Sequence, residues 1–532
     1  MYPKRLTQKV ICDPASAIVE TKAGKVRGLV TEGTYIFRGI KYADAKRFEE
    51  PKPVQPWEGV KRAHAYGPVS PEISTVIAHD AYYVPHIHWT QDEDCQYLNI
   101  WTQNPEAGRK RPVMVWIHGG GFATGSSIEL FAYDGEELSK YGDVVVVSIN
   151  HRLNIIGYLD LYYYGEKYKN SGNLGNMDMV AALQWVHDNI ENFGGDPENV
   201  MIMGQSGGGG KVKSLLQTPA ADGLFHKASI QSGLGFVGEG GRGERTHESN
   251  KEFTDKLVAK LGLTKDTIEK IETIPYYKLA RAAYDLGSGM NWGPVYDGEY
   301  YMGEPIIHGF REETKNIPVL AGSLFGEFAN NHVFQPYEGN KNEWSDEQVE
   351  NLLKDLFGDK KDAAVEAFKK AYPEKKIVDL AFLEASFRRG TVQYCEARAK
   401  VPGAAPIYNW LIPTEFPYDG GTVGWHNADE AYMFHNAQYL EASYIPGVSE
   451  KMQDEMTGAW LAMAKTGNPN FDGLTVKWPS YQEEPGATYF FDAESYVKHD
   501  HDKEVMEYAK DVRRSMSGMF GGVFGGGPRQ SL

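Results

Sequence analysis

The sequence predicts an α/β protein built on a mostly parallel central sheet, on three observations. Short apolar runs recur along the chain, stretches of helical pattern separate them, and glycines follow several of the runs. A run apolar on both faces suits a strand covered by helices on either side.

The runs come in order. Residues 111–117 are largely apolar and end in glycines; further runs fall at 144–149, 200–203, 227–230, 318–321 and 407–411. Helical patterns lie at 177–192, at 211–217 before Pro219, and at 453–466 before Gly467. Ahead of them, residues 18 to 70 alternate and turn, with Pro51, Pro53 and Pro56 breaking any helix. The stretch 79–89 is dense in aromatics and histidines, including Tyr82, Tyr83, His86 and His88. It reads as a surface loop over a pocket or as a packed cluster. Residues 239–375 are richer in helix and charge, as insertions capping a site would be. The tail after Met519 is too glycine-rich to stay ordered unless docked. No internal repeat is evident, and residues 1–532 read as one domain.

Composition narrows the function. The 532 residues are 41% hydrophobic and 24% charged, an ordinary globular balance, and 12% aromatic, enough to line a dry pocket. A formal net charge of -17 argues against nucleic acid or an anionic membrane as partner. Three cysteines, Cys12, Cys95 and Cys395, are too few for a disulfide scaffold and lack metal-site spacing. No apolar leader follows Met1 and no run approaches a membrane span, so the expectation is a cytoplasmic protein, monomer or homodimer.

Two motifs carry chemistry. Gly204-Gln205-Ser206-Gly207-Gly208 places G-x-S-x-G between a β-run and a helical pattern. A serine presented on so sharp a turn needs neighbours without side chains two positions either side, which Gly204 and Gly208 supply. The competing reading is a phosphate cradle, since Gly207 to Gly210 precede Lys211, but position 212 is Val rather than Ser or Thr. Upstream, His118-Gly119-Gly120-Gly121-Phe122 follows the 111–117 run. Consecutive glycines let backbone N–H groups approach a developing oxyanion.

With these motifs the sequence resembles the type-B carboxylesterase family over nearly its whole length. Further landmarks are Gly24-Lys25-Val26-Arg27-Gly28, Phe37-Arg38-Gly39-Ile40, Pro56-Trp57-Glu58-Gly59, Glu93-Asp94-Cys95-Gln96-Tyr97-Leu98-Asn99, Phe193-Gly194-Gly195-Asp196-Pro197, Thr466-Gly467-Asn468-Pro469 and Trp478-Pro479. The resemblance implies an α/β-hydrolase fold, no metal or cofactor, and a small-molecule ester substrate. It implies a Ser–Glu–His triad of Ser206, Glu327 and His426, with His435 as a decoy, and oxyanion donors at Gly120, Gly121 and Gly207. Phe122, Phe328 and Trp425 flank these positions and either line an apolar substrate pocket or pack the core. Three departures stand out. Gly207 replaces the usual Ala, which suggests a looser turn. Gln205 replaces the usual Glu. The loop disulfide that secreted members form to the equivalent of Cys95 has no partner cysteine between Cys12 and Cys95. The expected function is a serine carboxylesterase acting on small to medium, largely apolar esters through an acyl-enzyme. The alternatives are an amidase or peptidase on the same fold, or a non-catalytic binding protein.

Overall fold

The computed structural model describes residues 10–11, 17–72, 84, 86–106, 108–238, 243–329 and 335–512. Among them, twelve strands form one sheet. In chain order these are β1 (Val10–Ile11), β2 (Leu29–Thr31), β3 (Thr34–Lys41), β4 (Tyr97–Thr102), β5 (Arg111–Ile117), β6 (Val145–Ile149), β7 (Gly195–Gln205), β8 (Lys227–Gln231), β9 (Val319–Leu324), β10 (Ile407–Ile412), β11 (Ala487–Phe490) and β12 (Tyr496–His499). Their order across the sheet is β1-β2-β3-β4-β6-β5-β7-β8-β9-β10-β11-β12. Strands β5 to β11 pair in parallel, and antiparallel strands flank them on both sides.

Each apolar run of the sequence supplies one parallel strand, and alternation explains why the runs must be apolar throughout. Val113, Val115 and Ile117 of β5 enter one core, with Val145, Val147, Val200 and Ile202. Met114 and Trp116 enter the core on the opposite face, with Val146, Met201 and Met203. Helix α1 (Leu174–Asn189) covers the first face through Met179, Leu183 and Val186. The second face is covered by a long helix, Ser449–Thr466, through Met456, Trp460 and Met463. That helix ends at Gly467, whose φ of 78° is the left-handed cap the sequence predicts.

Helix α2 (Gly207–Leu216) begins four residues earlier than its pattern suggests. Glycines are poor helix formers, but here the turn at Ser206 sets the helix start and the packing needs no side chains. Residues 239–375 are not one continuous insertion, because the buried strand β9 divides them. Before it, α3 (His247–Lys260) and α4 (Tyr276–Asp285) pack with Ala123, Tyr158 and Leu159. After it, α5 (Asp346–Phe357) and α6 (Lys361–Ala371) pack with Phe325 and Phe490. Cys95 and Cys395 are free and buried; Cys12, residues 79–83 of the aromatic loop and the tail after Met519 lie outside the described residues. No helix among the described residues is long and apolar enough to cross a membrane.

Candidate active site

The motif residues converge at the carboxyl ends of the parallel strands. Strand β5 lies between β6 and β7, so the strand order reverses there, the place where open α/β sheets bind their ligands. The glycine loop follows β5, Ser206 follows β7, Glu327 follows β9, and His426 comes from the segment after β10.

Ser206 sits between β7 and α2 with φ 57° and ψ -125°, a conformation that costs a non-glycine residue energy and is held by its surroundings. A Cβ at Gly204 would lie 2.5 Å from the Gly208 carbonyl carbon and 2.7 Å from the Ile117 carbonyl oxygen, and one at Gly208 would overlap that same oxygen. The strand-to-helix turn therefore closes only with glycine at both positions. The Ser206 N–H donates to the Gln231 carbonyl at 2.8 Å, tying the turn to β8.

Ser206 Oγ lies 2.6 Å from His426 Nε2, and His426 Nδ1 hydrogen-bonds to Glu327 Oε2. A carboxylate facing Nδ1 calls for a proton there, which leaves Nε2 to accept from the serine hydroxyl. The backbone brings the two loops together: Gly326 N–H donates to the Gly424 carbonyl at 3.1 Å, and Glu327 pairs with Trp425 in an isolated parallel bridge. Glu327 is 0% exposed and His426 3%, whereas Ser206 is only partly buried. Burial pushes the Glu327 carboxyl up to about 8; opposing it, Leu324 N–H at 2.8 Å and Ser232 Oγ at 2.7 Å donate to Oε1 and favour the ionised form.

In the glycine loop, φ is 78° at Gly120 and 63° at Gly121, a region that suits glycine. Gly207 faces this loop so closely that a Cβ on it would overlap the N, Cα and O of Gly121. The turn is thus tighter at Gly207 than the departure from alanine suggested, because the missing methyl lets the loop close against it.

The three predicted aromatic residues divide. Phe328 is partly exposed, with its ring centroid 4.0 Å from the His426 ring. Phe122 is partly exposed and packs edge-on against Tyr158. Trp425 is fully buried with its ring against Phe416, in the core. The decoy His435 stacks on Tyr141 and bonds to Asp454 at 2.9 Å, apart from this cluster.

Three contributors escaped the sequence, and a fourth, Gln205, stood out there only as a departure whose contact was not readable. Phe387, on α7 (Ser386–Ala399), lies 5.2 Å from the His426 ring on its own centroid. Ser232 is the second donor to Glu327; its signal was a repeated Gln-Ser-Gly, at 205–207 and 231–233, ending adjacent strands. Gln231 donates to the buried Asp429 at 2.9 Å, whose carboxyl burial pushes up to about 7. Gln205 donates to the His426 carbonyl, the contact that replaces the usual glutamate. Among the described residues no cluster of His, Cys, Asp or Glu could hold a metal ion.

A hydroxyl hydrogen-bonded to an imidazole, itself held by a carboxylate and set beside close-packed backbone N–H groups, is an arrangement for acyl transfer. Comparison with known proteins places nearly the whole chain beside known esterases. The sequence profile of the carboxylesterase family matches residues 15–509. Para-nitrobenzyl esterase of Bacillus subtilis is 31% identical over 505 residues, covering 92% of this chain and 97% of the relative. Phenmedipham hydrolase of Pseudarthrobacter oxydans is 30% identical over 494 residues, covering 88% and 94%. A solved esterase from Clostridium hathewayi, described as hydrolysing aliphatic aromatic polyesters, superposes with a TM-score of 0.88 at 43% identity over 95% of this chain and 100% of its own.

Proposed function

Because the chain belongs to the carboxylesterase family and is a serine carboxylic ester hydrolase, we propose that Ser206 is its nucleophile, His426 its general base and Glu327 the group that orients the base. What supports these roles is the continuous hydrogen-bonded line from Ser206 Oγ through the imidazole to Glu327.

Each step has a group in place. His426 Nε2 takes the Ser206 proton as Oγ attacks the ester carbonyl carbon, and the carbonyl π electrons move onto oxygen. The N–H groups of Gly120, Gly121 and Gly207 stabilise that oxyanion. His426 then gives its proton to the leaving alkoxy oxygen, the ester C–O bond breaks, and the alcohol departs. Water enters, gives a proton to His426 and attacks the acyl carbon; Ser206 recovers its proton and the acid leaves.

Phe122 and Phe328, partly exposed and placed by the glycine loop and the imidazole, contact the substrate, which favours small to medium, largely apolar esters. The likeness to an esterase described as acting on aliphatic aromatic polyesters supports aryl ester groups among them. Two buried free thiols suit a reducing compartment such as the cytoplasm.

An organophosphate tests the assignment, because it needs both an activated hydroxyl and an oxyanion site. It should inactivate with one-to-one stoichiometry, and peptide mass spectrometry should place the adduct between Gly204 and Lys211. A label on another serine, Ser232 for example, would overturn these roles.

A further inference from the structure

The geometry points to Lys211 as a positioning residue that, together with His118, aims the Gly120 oxyanion donor by pinning the far edge of the peptide that carries it. The inference rests on Gly120 acting as that donor.

Lys211 lies on α2, five positions after Ser206, and is fully buried beneath the glycine loop. Its Nζ donates to the His118 carbonyl at 2.9 Å and reaches the Gly119 carbonyl at 3.4 Å. Nδ1 of His118 lies 3.0 Å from that same Gly119 oxygen and donates to it. The Gly119 carbonyl and the Gly120 N–H belong to one peptide unit. Such a unit is planar and trans, so holding the oxygen on one side drives the N–H out on the other. The next peptide is held likewise: the Gly120 carbonyl accepts from Thr124 N–H at 3.0 Å and Thr124 Oγ1 at 3.2 Å, which directs the Gly121 N–H. Both donors are therefore fixed from behind, before any substrate binds.

An ammonium is a costly choice for this task. Among the described residues Lys211 has no carboxylate in ion-pair contact. The groups facing it are the rings of His118, His151 and Phe122, with Glu129 as the opposing charge farther off. Burial pushes the ammonium down to about 7. A hydrocarbon chain would fill the space without that cost. What the ammonium adds is polarisation: a cation on the carbonyl oxygen makes the attached N–H a stronger donor.

The test is Lys211→Met in the full-length enzyme, which keeps the chain length and removes donor and charge. Active sites are counted by organophosphate incorporation, and kcat and KM are then measured on an ester and on the thionoester with the same acyl and alcohol groups. A thiocarbonyl sulfur accepts hydrogen bonds poorly, so its turnover draws little on the donors. We expect kcat on the ester to fall about 10- to 100-fold with little change in KM, the thionoester to lose far less, and the oxo-to-thiono rate ratio to collapse. Should Lys211→Met fail to fold, Lys211→Gln, which keeps an N–H donor without the charge, should give an intermediate ratio. Equal losses on the two substrates, or an unchanged kcat, would overturn the inference. A wild-type adduct away from Ser206 would instead refute the triad, so the two failures are distinguishable.

Discussion

Ser232 Oγ lies 2.7 Å from Glu327 Oε1 and donates to the carboxylate that holds His426. Three residues with φ near +50° are therefore linked, because Ser206 (57°), Ser232 (45°) and Glu327 (44°) all carry this strained backbone. They sit just beyond three neighbouring parallel strands, β7, β8 and β9, whose pairing fixes their spacing. Strain gathered at one site and tied down by its neighbours is the mark of a pre-organised constellation.

Ser232→Ala should weaken catalysis through Glu327. The hydroxyl favours the ionised carboxylate against the burial that pushes it up to about 8. Removing a hydrogen bond to a charged group costs about 1.5–3 kcal/mol, so the carboxyl rises further, by about one pH unit or more. Since only the ionised form orients the imidazole, activity is lost as pH falls, and the acid limb of kcat/KM should move upward. We expect kcat near neutral pH to fall about tenfold. A superimposable pH profile would show that the contact is structural only.

Restoring the usual residue at Gly207 should damage the enzyme. Alanine is the better helix former by roughly 1 kcal/mol, so Gly207→Ala has no intrinsic reason to lower Tm at the start of α2. Its methyl would overlap the Gly121 backbone and force the glycine loop away from Ser206. The expected outcome is a kcat lower by about 10- to 100-fold, the scale of weakening one oxyanion donor, in a protein that still melts cooperatively. Full activity in Gly207→Ala would mean that the loop opens without cost.

Much of this architecture was legible in the sequence because burial on both faces leaves a contiguous signal. The run 111–117 became β5 to the residue. Gly204 and Gly208 were readable because a sharp strand-to-helix turn needs glycine wherever its partners are. What escaped depends on residues distant along the chain. Ser232 and Phe387 reach the triad from the end of β8 and from α7; the repeated Gln-Ser-Gly hints at Ser232, but nothing near Phe387 in sequence marks that encounter. Trp425 shows a second limit: it adjoins His426 in the chain, but at the bridge-to-turn step between them the two side chains part, so one meets Phe416 and the other Ser206. Lys211 escaped because its role lies in a carbonyl contact across the loop, which residue type alone does not announce.

A buried histidine outside the triad should set part of the acid sensitivity of the fold. The His501 side chain is 6% exposed, lies 3.6 Å from Asp502, and packs beside Tyr372 and Phe490. Burial pushes it down to about 4, below the roughly 6.5 of an unfolded chain. The unfolded state then binds the proton first, so stability is present above about pH 6.5 and lost as pH falls toward 4. From pH 7 to pH 5 this one group should cost roughly 2 kcal/mol. His501→Phe, which keeps the ring packing, should remove that share. Urea unfolding at both pH values should therefore show the variant gaining about 2 kcal/mol on the wild type as the pH is lowered; a constant difference would refute the assignment.

Ser206→Ala should separate the nucleophile from the site that serves it. The substitution removes one oxygen and leaves the glycine loop, His426 and the aromatic contacts in place. The hydroxyl forms its bond to substrate in the transition state and adds little to ground-state binding, so KM should change little while kcat falls by several orders of magnitude. The fall should not reach zero. With the oxyanion donors intact and water able to reach His426, a residual rate of roughly 10³-fold over the uncatalysed reaction is expected. Organophosphate labelling, by contrast, should vanish, since the adduct needs the missing oxygen. The alanine also has to adopt φ near 57°, which disfavours it only slightly more than serine, so the variant should melt close to the wild type. Stopped-flow assays on an activated aryl ester add a further check: the wild type should show a burst of alcohol release as the acyl-enzyme fills, and Ser206→Ala should show none. Near-wild-type turnover in the variant would mean that another group carries the acyl chain, whatever the fold around it.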